Sequence, residues 1–258
     1  MKLNNIFYMS YAGNKRNEIK NIYSYLNFEN IDTIVEPYAG TSVISFYISS
    51  LHPNIKIILN DNNKYLKEIY DIIQDDEKIE QFEKEVNEKK DKIKNKEDYL
   101  KAINEKDIFG WFIGDKYYAI HARQCPIGYR DESRMKKPFK LRDYKIFNFY
   151  RNPNVSFICD DGINVYEQYK NNDNVMMIMD PPYIAACNCF YIDDSMNIYE
   201  HIHNNNIKEC KAKIYLILEN IWIIKLLFSS NNIIFEYDKK YEISRRKTTH
   251  ILISNVDK

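Results

Sequence analysis

Asp180-Pro181-Pro182-Tyr183 closes a run of five apolar residues, Val175–Met179, with a carboxylate, two rigid rings and a phenol. Five apolar residues in succession fit a short, fully buried strand. The two prolines then stop both a helix and a sheet ladder. Open α/β sheets bind their ligands at the carboxyl ends of the strands. At that edge the segment delivers a charged acceptor (Asp180), a backbone carbonyl of fixed direction (Pro181) and an aromatic face (Tyr183). A plain Pro-Pro turn capped by an aspartate would use the same residues. The remaining chain must therefore supply the site for a second reactant.

Two earlier stretches do so. Thr33–Glu36 is a short apolar strand ending in an acid, and Pro37-Tyr38-Ala39-Gly40-Thr41-Ser42 leads from it into a helical run reaching about Ser50. Strand, tight glycine turn and helix let a ligand approach backbone amides at a helix N-terminus. Asp61 closes the next apolar strand, Ile55–Asn60, about 20 residues after Gly40, the spacing at which a carboxylate takes ribose hydroxyls. The three-glycine fingerprint of a pyrophosphate site is absent. A nucleoside cofactor without a diphosphate fits this pattern, and S-adenosylmethionine is the candidate. The glycine turn at Gly40 and the spaced acid Asp61 carry this reading; a later strand, Val155–Cys159, ends at Asp160. Lys15 stands near the start of a helix predicted from Asn14 to Asn27; an ordinary surface lysine and a contact to a negative ligand both fit it.

These elements alternate as a doubly wound α/β fold does. Helices are expected to about Tyr169, over 198–208 and over 220–228, a strand over Ala212–Leu218, and an antiparallel pair from Ile233–Ile243 and Thr249–Asn255 at the end. The alternation is interrupted between Asp61 and Val155. Lys64–Lys106 is heavily charged and reads as a helical hairpin, with Asp75–Glu105 alternating lysine and glutamate as solvated helix faces do and Ile79, Phe82, Val86 and Ile93 as an apolar stripe. From Lys116 to Arg151, ten lysines and arginines face only Asp131, Glu132 and Asp143. That local excess of about seven positive charges is the footprint of a phosphate backbone. Arg123, Arg130, Arg134, Lys136, Lys137 and Lys140 are its candidate contacts. Interleaved aromatics, including Tyr117, Tyr129, Phe139 and Tyr144, are of the type that stack on bases. A solvated basic loop is the alternative. Arg245 and Arg246, between the last two strands, either guard a sheet edge or face the same nucleic acid. The expected division is a catalytic domain of residues 1–65 and 152–258 with an inserted recognition subdomain, 66–151.

The formal net charge of zero over 258 residues means that any nucleic-acid role needs such a patch. The N-terminus lacks the apolar core of a signal peptide. The most apolar run, Ile221–Phe228, is interrupted by Lys225 and too short to span a bilayer. Five cysteines without knuckle spacing and an isolated His201–His203 pair give no expectation of a metal.

In the order of these motifs the chain resembles the D12 (Dam-like) class of DNA N6-adenine methyltransferases. Tyr11-Ala12-Gly13-Asn14-Lys15 is similar to the family's Trp/Tyr-Ala-Gly-Gly-Lys, and Glu36-Pro37-Tyr38-Ala39-Gly40 to its Glu-Pro-Phe-x-Gly cofactor loop. Asp61 matches its ribose-binding acid, Asp180–Tyr183 its catalytic tetrapeptide, and Arg245–Asn255 its C-terminal hairpin. Pro126–Arg130 and Pro138-Phe139 look like a worn version of its recognition stretch. Asn14 and Ser42 stand where the family has glycines. The resemblance implies a Rossmann-like methyltransferase fold with a seven-stranded mixed sheet and a terminal antiparallel hairpin. It also implies S-adenosylmethionine as cofactor, held by Tyr11, Lys15, Glu36, Tyr38, Gly40, Asp61, Asp160 and Asp180. Double-stranded DNA would be the partner, reached inside the cell and without membrane or metal.

The implied chemistry fits the tetrapeptide. Adenine's exocyclic amine is a poor nucleophile, and two fixed acceptors, Asp180 and the Pro181 carbonyl, would favour a pyramidal nitrogen aimed at a sulfonium methyl. Tyr183 would stack on a base rotated out of the duplex. RNA adenine methylation and a catalytically idle DNA-holding subunit are the competing readings. A restriction–modification partner, a solitary marking enzyme and a viral protein are all compatible with the motifs.

Overall fold

A computed structural model describes residues 6–8, 15–117, 138–183, 195–204, 207–229, 232–240 and 247–256. The chain divides into two units. One comprises Lys15–Asn62 with Ser156–Lys258, and the other Met1–Asn14 with Asn63–Val155.

The first unit is built on a seven-stranded sheet of order β3-β2-β1-β4-β5-β7-β6. Its strands are β1 (Thr33–Glu36), β2 (Lys56–Asn60), β3 (Val155–Ile158), β4 (Val175–Met179), β5 (Lys213–Glu219), β6 (Asn232–Lys240) and β7 (Lys247–Ser254). The first five follow the doubly wound order 3-2-1-4-5 of dinucleotide-binding folds. β1 pairs in parallel with β2 and β4, and β4 with β5, whereas β7 runs antiparallel to β5 and β6. The expected α/β class and mixed seven-stranded sheet with a terminal antiparallel hairpin are thus present. Apolar residues dictate the centre. Every residue of β4 is buried, and Val35 of β1 lies in register between Ile58 and Met177. Strands covered on both faces read as continuous hydrophobic runs, as Val175–Met179 does.

Among the described residues, five α-helices accompany the sheet: α1 (Ile19–Tyr23), α2 (Val43–Leu51), α8 (Gly162–Tyr169), α9 (Ser195–Asn204) and α10 (Trp222–Leu227). α1 is shorter than the predicted Asn14–Asn27 because residues 16–18 and 24–25 form turns. The order reverses between β1 and β4, the topological switch point at which such sheets bind ligands.

The second unit contains α3 (Lys64–Ile73), α4 (Asp76–Lys92), α5 (Lys96–Asn104), α6 (Ile108–Tyr117) and α7 (Ile146–Tyr150). The predicted hairpin over 64–106 is instead three helices. Asp75 accepts from the Glu77 and Lys78 amides and Asn95 from the Asp98 amide, so each side chain caps a new helix and ends the previous run. Phe82, Phe112 and Phe139 form the aromatic core, with Tyr8 beside Phe112 at 5.7 Å. Among the described residues no helix is long and apolar enough to cross a membrane.

Gly110 marks the tightest backbone approach in this unit. A Cβ there would run into the carbonyl oxygens of Glu105 and Ala102, neither of which can swing away as a side chain could. Gly110→Ala is expected to cost about 1–3 kcal/mol, the usual penalty for forcing extra volume into a packed site. Urea unfolding checks this; an unchanged midpoint would contradict it.

Candidate active site

Four strand ends of the sheet unit converge on one edge. β1 delivers Glu36 and the turn Pro37–Ser42. Two residues of that turn have positive φ, Gly40 at 49° and Ser42 at 53°. Gly40 enters the left-handed region without a Cβ penalty, whereas Ser42 carries strain of about 1–2 kcal/mol at the position where glycine was the expectation. The turn is held from two sides. The Gly40 amide donates to Asp61 Oδ2 at 2.9 Å, and the Ala39 amide to the Asn60 carbonyl at 2.7 Å.

Asn60, wholly buried, fastens the loops after β1 and β3 to the end of β2. Its Nδ2 donates to the Pro37 and Asp160 carbonyls at 2.8 and 3.0 Å, and its Oδ1 accepts the Asp160 amide at 2.9 Å. The ends of β1, β2 and β3 are therefore locked together by one amide. Asp160 and Asp161 lie exposed at the start of α8, with Asp161 capping it through the Ile163 amide at 2.8 Å. A Cβ on Gly162 would overlap the Tyr38 ring, so this glycine is what lets Tyr38 lie against the helix start.

β4 delivers Asp180. Its Oδ2 pairs with the Lys15 ammonium and its Oδ1 accepts the Tyr183 hydroxyl at 2.7 Å. Lys15 is 3% exposed and Asp180 19%, so the pair is shielded but open on one side. Tyr183 is buried, its ring edge-on to His250 at 5.0 Å, with the Lys15 ammonium 5.3 Å from its centroid. Burial and the neighbouring Asp180 charge push its hydroxyl well above the usual range, so it is a proton donor to Asp180 and not a phenolate. The turn itself is braced by the Tyr199 hydroxyl, which donates to the Pro182 carbonyl at 3.1 Å.

Glu36 is buried behind this pair. Burial pushes its carboxyl up to about 8, against a hydrogen bond from the Ser45 amide at 3.3 Å, and Asp180 adds to the rise. At neutral pH Glu36 is mostly protonated, which spares the site a second buried anion beside Asp180.

Lys15, Glu36, Tyr38, Gly40, Asp61, Asp160, Asp180, Pro181 and Tyr183 thus all belong to one unit and one sheet edge. Tyr183 is a support under Asp180 rather than an open stacking face. Tyr11 lies outside the described residues, as do Arg123, Arg130, Arg134, Lys136, Lys137, Arg245 and Arg246. Lys140 is exposed on the other unit. There Phe139 is a core residue, its amide donating to Asn87 Oδ1 at 2.8 Å, and its burial leaves no face for a base. Arg142 and Arg151 share Asp76 at 2.8 and 3.0 Å, and Lys116 contacts the Tyr144 hydroxyl. These cations are at least partly committed within the protein. Among the described residues no group of three His, Cys, Asp or Glu side chains could hold a metal.

Sequence reasoning missed Asn60, which it took for the last residue of a strand. A polar side chain closing an apolar run just before an acid was the available signal. Asn60→Ala removes three hydrogen bonds, one of them fully buried, and is expected to cost about 2–4 kcal/mol, at roughly 1 kcal/mol per bond. Thermal or urea unfolding of the variant measures this, and a loss below about 1 kcal/mol would show that the loops hold themselves.

No curated protein matches the chain. Among solved structures, precorrin-6y C5,15-methyltransferase from Geobacter metallireducens GS-15 is similar at 10% identity, covering 95% of this chain and 92% of that one, with a TM-score of 0.42. A family model described as D12 class N6 adenine-specific DNA methyltransferase matches residues 11–243. With nearly the whole length matched, and with the acid, the glycine turn and the tetrapeptide gathered on one sheet edge, the chain belongs to the D12 class N6 adenine-specific DNA methyltransferases.

Proposed function

We propose that the protein transfers a methyl group from S-adenosylmethionine to N6 of an adenine in double-stranded DNA. The observation that carries this reading is Asp180: a carboxylate at the end of a buried strand, beside the switch point, fixed through both oxygens yet partly open to solvent. Family membership supplies the substrate class.

The residues fit the cofactor. Gly40 leaves the turn after β1 without a side chain, Asp61 sits at the end of the neighbouring strand, and Tyr38 and Asp160 flank the start of α8. Together they offer a carboxylate for ribose hydroxyls, an aromatic wall and a backbone free of Cβ obstruction. When bound, S-adenosylmethionine supplies an electrophilic methyl group on a sulfonium.

The chain's own groups supply the rest. Asp180 and the Pro181 carbonyl accept the two N–H groups of the amine, drawing its lone pair out of conjugation and fixing its direction. As the nitrogen becomes positive, the Asp180 carboxylate strengthens its hydrogen bond and holds the departing proton. Lys15 and Tyr183 keep that carboxylate in place, each engaging one oxygen and leaving further lone pairs to accept from the amine. Stacking of the base on Tyr183, which the family resemblance implies, needs the buried ring to turn outward. The basic segment containing Arg123, Arg130, Arg134, Lys136, Lys137 and Lys140, with Arg245 and Arg246, is assigned to the phosphate backbone.

Labelled S-adenosylmethionine incubated with duplex DNA, single-stranded DNA or RNA, followed by identification of the modified nucleoside, tests the reading. N6-methyladenine in duplex DNA is expected. Label on RNA alone, or none without a second protein, would replace it by one of the competing readings. Asp180→Ala is expected to lower transfer at least about a thousandfold, the scale of losing the group that positions and stabilises the reacting centre. Its cofactor affinity should change little in calorimetry, and near-normal turnover would rule the mechanism out. Lys136→Ala with Lys137→Ala should reduce the slope of log affinity against log salt by about 1–2 units. An unchanged slope would remove this segment from the DNA surface.

A further inference from the structure

Behind the catalytic carboxylate lies a second, fully internal set of polar groups that the reaction does not use directly. Glu18 is 5% exposed, Lys239 9% and His250 0%. Glu18 Oε1 pairs with Lys239 at 2.6 Å. Its Oε2 accepts the Tyr237 hydroxyl at 2.9 Å and lies 3.2 Å from His250 Nδ1. All three partners come from the terminal hairpin, and Tyr237 and His250 are directly opposed across β6 and β7.

Two arms lead from this knot to Asp180. In the first, Glu18 and Lys15 share one turn: the Glu18 and Ile19 amides both donate to the Lys15 carbonyl at 2.9 Å, and the Lys15 ammonium holds Asp180 Oδ2. In the second, the His250 ring abuts Tyr183, whose hydroxyl holds Asp180 Oδ1. Both oxygens of the reacting carboxylate are thus oriented from one root. Charge points the same way. Two buried ammoniums, Lys15 and Lys239, face two carboxylates, Glu18 and Asp180, with Glu36 close to both Lys15 and Asp180. Burial opposes ionisation of Glu18, but the His250 hydrogen bond and the Lys15 and Lys239 charges hold its carboxyl at about 2. For Lys239, burial and the Lys15 charge together push the ammonium below its usual range despite Glu18. A buried set of this kind is favourable only when complete.

We propose that Glu18 is a positioning residue for methyl transfer, fixing the Asp180 carboxylate through Lys15 on one side and through His250 and Tyr183 on the other. The terminal hairpin then has a mechanistic task besides extending the sheet. The inference rests on the methyltransferase reading of Asp180.

Glu18→Gln keeps shape and removes the charge. Expected is a fall in kcat of about 10–100-fold, the range seen when a supporting residue behind a functional ligand is lost. The cofactor dissociation constant should change by less than about threefold, since only the reacting geometry is affected. Adding Lys239→Met to Glu18→Gln restores the balance of buried charge and should recover part of the lost kcat, a non-additivity that independent sites would not give. Tyr237→Phe, which deletes one donor and no volume, should lower kcat about threefold to tenfold; it carries the test should Glu18→Gln fail to fold. Wild-type kcat in folded Glu18→Gln, or in Tyr237→Phe when only that variant folds, would overturn the proposal. If the wild-type protein transfers no methyl group, the methyltransferase reading fails instead. A crystal structure of Glu18→Gln then decides the positioning role: loss of the Lys15–Asp180 pair supports it, and an unmoved pair overturns it.

Discussion

A carboxylate at the end of a wholly buried strand has to remain charged, and it has to point one way. Water would satisfy the first need but not the second. Here neighbouring side chains satisfy both, because Lys15 takes one oxygen of Asp180 and Tyr183 the other. Burying an ion pair costs several kcal/mol per ion before any attraction is counted. The surrounding groups reduce that cost where they can: Glu36 gives up its charge, and Tyr183 keeps its proton. Much of the polar architecture near the switch point follows from holding the Asp180 carboxylate in one orientation.

The side of the edge proposed for the cofactor depends on a different device. Loops at the ends of parallel strands have no ladder partners of their own, and their amides and carbonyls must find others. Asn60 meets that need for two loops with one side chain, and Asp61 for the Gly40 amide. The Asp61 carboxylate, proposed to take the ribose hydroxyls, already accepts a backbone hydrogen bond, and its rotamer is set before ligand arrives. Such preorganisation reduces the ordering cost of binding.

Much of this was legible in the sequence, for local reasons. Thr33–Glu36 and Val175–Met179 are apolar runs bounded by turn-forming residues, and their strands coincide with the expected spans. The motif order carried the sheet class, because a terminal antiparallel pair after βα alternation leaves few alternatives. Glu18, Lys239 and His250 were not legible. Each sits in a pattern that reads as an ordinary amphipathic helix turn or strand, and their contacts span more than 200 residues of chain. Phe139 was misread because an aromatic among basic residues looks the same in sequence whether it stacks on a base or fills a core. The break of 64–106 into three helices was written in Asp75 and Asn95, whose capping roles a charge-rich stretch obscures.

β6 is the outermost strand on its side of the sheet, and Lys239 points inward from it toward Glu18. An inward-facing charge on an edge strand is one of the ways natural sheets discourage another chain from pairing along their open rim. Shifting the edge by one residue would turn the ammonium out and bring Asp238 or Lys240 in, and the pair with Glu18 would be lost. The same ion pair therefore disfavours a shifted register of β6. The packing behind Asp180 and the register of the edge strand thus share a single buried contact.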